Sequence, residues 1–173
     1  ALANLQKVLG NLGKPGGGLI PLRTQNNSQG ANDMGSIPHL LPGYRSVSDH
    51  SVRQNFEAAW GTELPAGPGL TASEMFARAE QGNLSALYIL GEDLVTTAPD
   101  SPRLRRGLQA CEVVILQAMQ ELETAAYADV LLPGTSFAEK TGTFTNTERR
   151  IQMVHQAIDP LGESRPDWMI LKD

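Results

Sequence analysis

Ala86-Leu87-Tyr88-Ile89-Leu90, Val113-Val114-Ile115-Leu116 and Asp129-Val130-Leu131-Leu132 decide the fold. Each is a short apolar run, and turn formers close the first at Gly91-Glu92-Asp93 and the third at Pro133-Gly134. Helix signals fill the gaps between them. Ser101-Pro102 makes a good N-cap and first-turn pair for a helix through about Ala110, and Glu121–Ala128 reads as a second, shorter helix. Apolar runs without period-2 alternation, separated by helices, suggest strands buried on both faces and joined by right-handed crossovers. Segment 84–135 is therefore expected to be a βαβαβ core. The fold class is α/β: a doubly wound, mostly parallel sheet flanked by helices, as in Rossmann-like domains. On such sheets ligands sit outside the carboxyl ends of the strands. The turns after Leu90, Leu116 and Leu132 are the first places to look for a site.

Outward from this core, Thr71-Ala72-Ser73-Glu74 has capping-box spacing and opens a helix that ends near Gly82. Ser48 or Asp49 caps a helix running to about Trp60 and closed by Gly61. The first residues place Leu2, Leu5, Val8, Leu9 and Leu12 at helical spacing, with Gly13 as a stop signal. Residues 14–48 read as one long polar loop region: Lys14-Pro15-Gly16-Gly17-Gly18 cannot be a regular element, and Arg23 to Tyr44 is rich in turn formers. A loop of that length in a compact domain tends to be functional. With 173 residues the chain fits one domain. Both ends look cut, which suggests an internal fragment of a longer chain.

Composition narrows the function classes. Apolar residues make up 40% and charged residues 19%, an ordinary globular mixture able to bury a core. A net charge of −5 leaves no electrostatic footprint for nucleic acid. The basic runs Arg103, Arg105, Arg106 and Arg149-Arg150 read as solvated faces. The single cysteine, Cys111, can make no internal disulfide or cluster site alone and reads as a small buried apolar residue. No apolar stretch approaches the roughly 18 residues of a membrane span. His39, His50 and His155 are scattered without metal-ligand spacing, so no metal-binding residue is assigned.

Three places could carry chemistry. A carboxylate in Gly91-Glu92-Asp93 could accept hydrogen bonds from a guanine edge or ribose hydroxyls, with Gly91 allowing close approach; the plainer reading is that Asp93 opens a turn. No G-x-G-x-x-G follows any of the three strands, so an ordinary dinucleotide grip is not supported. Arg23, with Gln25, Asn26, Asn27 and Gln29 nearby, offers a planar fork suited to a carboxylate, or else braces the loop. Thr143–Arg150 suits an anionic ligand or an ordered turn. The residues alone lead to an α/β ligand-binding domain with an unusually long polar loop.

Taken together, several motifs resemble a known family. They are Pro21-Leu22-Arg23-Thr24-Gln25-Asn26-Asn27-Ser28-Gln29-Gly30-Ala31-Asn32-Asp33-Met34-Gly35, Leu41-Pro42-Gly43-Tyr44, Leu90-Gly91-Glu92-Asp93, Ala128–Pro133 and Glu139–Gln152. In this order, from about Leu5 to Trp168, they look like the formate dehydrogenase branch of the molybdopterin oxidoreductases. The resemblance implies a parent enzyme that oxidises formate to carbon dioxide at molybdenum or tungsten held by bis-(molybdopterin guanine dinucleotide), bis-MGD. It implies a 4Fe-4S cluster elsewhere in the parent, and electron transfer, often to a partner subunit that reduces NAD. By the same resemblance Arg23 matches the arginine that orients formate, and Gln25 a residue that contacts the pterin. The resemblance further implies that Asp93 and Thr97 match residues holding the nucleotide end of one cofactor half, with Gly91 and Glu92 as cofactor-binding candidates in the same turn.

The metal-ligating cysteine or selenocysteine and its adjacent histidine have no counterpart here, so the fragment alone is expected to be inactive. Departures include Thr24 where Gly is frequent, Asn32 where some relatives have Cys, Ala118 where many have Asp, and Leu94 where Pro is usual. Three other readings compete: a pterin-free supporting domain of a complex I-type iron–sulfur subunit, a domain of another such oxidoreductase such as a nitrate reductase, and a non-catalytic binding module. The pair Arg23 and Gln25 argues against the first, and the runs Asn32–Gly35 and Thr145–Glu148 favour formate over nitrate. The expected compartment is cytoplasmic, with a periplasmic parent also compatible.

Overall fold

A computed structural model describes residues 1–173. In chain order the elements are α1 (Leu2–Val8), α2 (Ser28–Asp33), β1 (Leu40–Leu41), β2 (Arg45–Ser46), α3 (His50–Trp60), α4 (Ala72–Glu80), β3 (Ala86–Leu90), α5 (Leu94–Thr97), α6 (Ser101–Ala110), β4 (Val113–Ala118), β5 (Val130–Pro133), β6 (Gly142–Thr145), β7 (Ile151–Val154) and α7 (Asp167–Lys172). Short 3-10 turns at Glu123–Tyr127 and Phe137–Glu139 complete the chain.

The expected parallel sheet is present. Strands β3, β4 and β5 lie in that order, with Leu87 opposite Val114 and Leu116 opposite Leu131. Leu87, Ile89, Val114 and Leu116 point to one face and form the main core with Val95, Leu104 and Leu108. Helices α4 and α6 pack together over this core. Gly107 permits their approach: a Cβ there would stand 3.2 Å from that of Ala79. Glu80 then clamps the pair by accepting from Arg103 Nε at 2.7 Å and Arg106 Nη2 at 2.6 Å. Arg105 donates to Tyr127 Oη at 2.9 Å, so the basic run of α6 is engaged within the fold.

The second face differs from the expectation of burial on both sides. Burial alternates along β3, leaving Tyr88 and Leu90 exposed, and Val113 and Val130 are exposed as well. Pure apolar runs hide this alternation, because the outward residues are as apolar as the inward ones. One point of this face is covered. Gln117, fully buried, accepts from Tyr88 Oη and donates to Asp167 Oδ1 at 2.8 Å, bringing the start of α7 onto the sheet. Lys140 pairs with the other oxygen of the same carboxylate.

Caps behave largely as the sequence requires. Asp49 accepts from the Ser51 and Val52 amides, and Gly61 ends α3 in the left-handed region at φ 68°. Thr71 and Glu74 form the reciprocal capping box of α4. At α6 the cap sits one residue earlier than expected, on Asp100, whose carboxylate accepts from Arg103 N. The first helix ends at Val8, before the expected Gly13. The stretch expected as a helix over 121–128 is a tighter 3-10 turn.

The polar region 14–48 is more ordered than its composition suggests. It contains α2 and the small β1–β2 hairpin, in which Leu40 pairs with Ser46 and Leu41 with Arg45. A second hairpin, β6–β7, was not legible in the mixed polar run Thr143–Arg150. There Thr145 pairs with Ile151 and Phe144 with Gln152. This hairpin packs against α2, and that contact builds the site.

Candidate functional site

Asn27 stands at the N-terminal boundary of α2, and its Oδ1 accepts from Thr145 N at 2.9 Å, at the end of β6. Gly30 makes room for the contact, since a Cβ there would lie 2.3 Å from Asn27 Oδ1 and 3.2 Å from Thr145 Oγ1. Between the polar loop and the tip of the hairpin lies a cavity of about 550 Å³. Arg23, Gln25, Asn26 and Gln29 line one side of it, and Asn146 and Arg149 line the other. Tyr44 lines it too, and Gln29 is fixed by donating to Tyr44 Oη at 2.9 Å and Asp33 Oδ1 at 2.8 Å. No aspartate or glutamate lines this space. Arg23 makes no ion pair in the chain. A cationic, amide-rich cavity without carboxylates suits an anion that accepts hydrogen bonds.

A second cavity, about 570 Å³, opens at the carboxyl ends of β4 and β5, lined by Ala118, Met119, Gln120, Glu121, Leu132 and Pro133 among others. It occupies the place the sheet topology designates for ligands. The structure thus brings Arg23 and Gln25 into one cavity, while Gly91, Glu92, Asp93 and Thr97 line neither.

These four residues form their own tight turn after β3. Gly91 has φ 67°, and nothing lies within 4 Å of where its Cβ would stand, so its backbone is open to close approach. Thr97 Oγ1 donates to Glu92 Oε1 at 2.6 Å and to the Asp93 carbonyl at 2.9 Å. The Asp93 carboxylate is occupied by the fold. Its Oδ1 accepts from Thr124 N at 3.0 Å and Thr124 Oγ1 at 2.6 Å; its Oδ2 accepts from Thr96 Oγ1 at 2.7 Å and Glu123 N at 3.3 Å. Four acceptances use about the whole capacity of a carboxylate. The Thr124 hydroxyl above all, with Thr96 and the backbone amides, holds its pKa below the ordinary 3.8, outweighing the opposite effect of burial. These bonds tie the turn after β3 to Thr124 and Glu123.

Arg149 belongs to the run Thr143–Arg150 that suits an anionic ligand or an ordered turn, whereas Tyr44 was missed as a lining residue; no sequence signal marks the backbone conformation of either. No group of three or more His, Cys, Asp or Glu side chains is gathered to hold a metal ion. No helix is long and apolar enough to cross a membrane.

Comparison with known proteins decides what kind of chain this is: the family model for molybdopterin oxidoreductases matches residues 1–173. The chain belongs to the molybdopterin oxidoreductase family. Among its relatives in that family is the F420-dependent formate dehydrogenase subunit alpha of Methanocaldococcus jannaschii, 45% identical over 99% of this chain and 25% of the relative. Formate dehydrogenase H of Escherichia coli is 42% identical over 100% of this chain and 24% of its own length. This molybdopterin oxidoreductase segment thus spans only about a quarter of these relatives. Among solved structures, acetylene hydratase from Pelobacter acetylenicus matches with a TM-score of 0.53 at 17% identity, covering 72% of this chain and 18% of that one, a likeness of fold.

Proposed function

We propose that this chain is part of a formate dehydrogenase catalytic subunit, contributing to a bis-MGD site and supplying the arginine that orients formate. The observation that carries the reading is the position of Arg23: an unpaired guanidinium beside Gln25 in a cavity without carboxylates. Its fork would hold the formate carboxylate in two parallel hydrogen bonds, fixing the direction in which the C–H bond points. Relatives above 40% identity that are named formate dehydrogenases support the substrate.

The residues present fit a pterin dinucleotide. Gln25, Asn26 and Asn146 offer amide donors and acceptors for a polar heterocycle, and the open backbone of Gly91 admits a flat group at close range. Glu92 and Thr97 would face the nucleotide end, with Asp93 fixing the turn that presents them. When bound, the cofactor with molybdenum or tungsten would take the electron pair from formate. A 4Fe-4S cluster in the remainder of the parent, and partner subunits such as an NAD-reducing one, complete the proposed electron path. A cytoplasmic parent is part of this proposal.

The test is formate-dependent reduction of an artificial electron acceptor by the full-length protein, produced with its cofactor machinery and assayed for bound metal and pterin. Loaded protein that turns over formate supports the reading; loaded protein inert to formate refutes it.

A further inference from the structure

Backbone strain in this chain is concentrated in one place. Among residues other than glycine, only Tyr44 (φ 59°) and Arg149 (φ 63°) adopt positive φ, and both line the cavity of Arg23. The left-handed region is costly for a residue with a Cβ, and such strain persists where the surroundings enforce it, often at ligand sites. At Arg149 the enforcing bonds are visible. Its amide donates to the Asn146 carbonyl at 2.9 Å, Asn146 N donates to the Arg150 carbonyl at 3.1 Å, and Asn146 Oδ1 accepts from Arg150 N at 2.9 Å. A turn of this kind needs only glycine or asparagine at that position. An arginine there adds nothing to the turn, and its side chain forms no ion pair, whereas the neighbouring Arg150 pairs with Glu148 at 3.4 Å.

We propose that Arg149 is a second anion-recognition residue of the Arg23 cavity, placed there by the strained hairpin tip to draw the carboxylate substrate to Arg23. The proposal rests on the formate reading above. Two guanidiniums facing one space without a carboxylate give it a positive potential that raises the local concentration of a small anion. Arg23 sets the orientation, and Arg149 chiefly sets the affinity.

The test uses the full-length, cofactor-loaded protein and phenylglyoxal, with modification of each arginine followed by mass spectrometry in the presence and absence of formate. Formate is expected to slow modification of Arg149 and Arg23 over the same concentration range. Arg149→Gly, which suits the left-handed backbone, is expected to raise the KM for formate about tenfold with a much smaller change in kcat. Metal and pterin content should be unchanged and the Tm equal or higher, and Arg149→Lys should recover part of the affinity. Protection of Arg23 without protection of Arg149, or an unchanged KM in Arg149→Gly, overturns the proposal and leaves the formate reading standing. Absence of protection at both arginines removes the formate reading and this proposal together.

Discussion

Asn27 and Thr145, 118 residues apart in sequence, are joined by a hydrogen bond of 2.9 Å from the Thr145 amide to the Asn27 side-chain oxygen. It joins the polar loop to the β6–β7 hairpin, and the cavity of Arg23 and Arg149 lies where they meet. Thr145 is buried, so its amide has no water to replace a lost partner. Asn27→Ala should destabilise the protein by about 1–3 kcal/mol, the usual cost of a buried donor left unpaired. Asn27→Asp keeps the acceptor and should cost less. Hydrogen exchange at the Thr145 amide checks this: faster exchange in the alanine variant is expected, and unchanged exchange would show that the hairpin stands without the loop.

Acid titration should report on Asp93. Its carboxylate is held below the ordinary 3.8 in the folded chain, so the unfolded chain binds the proton more readily. The stability it contributes is therefore present above about pH 4 and lost as pH falls through the lower folded value. Asp93→Asn cannot accept all four hydrogen bonds and does not titrate. It should be less stable than wild type at pH 7, with the difference narrowing below about pH 4. Denaturant unfolding at pH 7 and pH 3 measures the two gaps, and equal gaps would contradict the assignment.

Gly107 lets α4 and α6 approach, with the Ala79 methyl group, the Glu80 amide nitrogen and the Phe76 carbonyl oxygen across from it. Adding a methyl group there places it 3.4 Å from Glu80 N and from the Phe76 carbonyl oxygen. Gly107→Ala, although it favours helix locally, should therefore lower stability by about 1–3 kcal/mol through overpacking. A rise in Tm would show that the helices can separate without cost.

Cys111 should react slowly. Burial raises its thiol pKa above the ordinary 9.0, so little thiolate exists at neutral pH. Alkylation by iodoacetamide at pH 7 should run well behind that of a free cysteine in solution and accelerate steeply toward pH 10. Rapid modification at pH 7 would give Cys111 a role beyond packing.

The elements legible in sequence were those whose signal is local. The runs at Leu87, Val114 and Leu131 marked strands because a short apolar stretch between turn formers has few other uses. Asp49, Gly61 and Thr71 marked helix ends because their side chains or their lack of one satisfy the end itself. Helix α2 was hidden, since Ser28-Gln29-Gly30-Ala31-Asn32-Asp33 is largely made of poor helix formers, and it gains its support from the distant β6. The open face of the sheet was hidden for the opposite reason: Tyr88 and Leu90 are large, mainly apolar residues although each is left about half exposed. At the site, Arg23 and Gln25 were legible by residue type and resemblance. The bracing bonds of Asp93 reach across to Thr124, and the positive φ of Tyr44 and Arg149 depends on turns closed by other residues; neither is written in local sequence.

The most direct test of the central claim compares the full-length protein with its Arg23→Lys and Arg23→Ala variants, measuring formate oxidation together with bound metal and pterin. If Arg23 orients the substrate, all three should load equally, while kcat/KM falls by about 100-fold or more in both variants, since lysine cannot reproduce the planar two-point grip. Formate oxidation that survives Arg23→Ala in fully loaded protein would contradict the account.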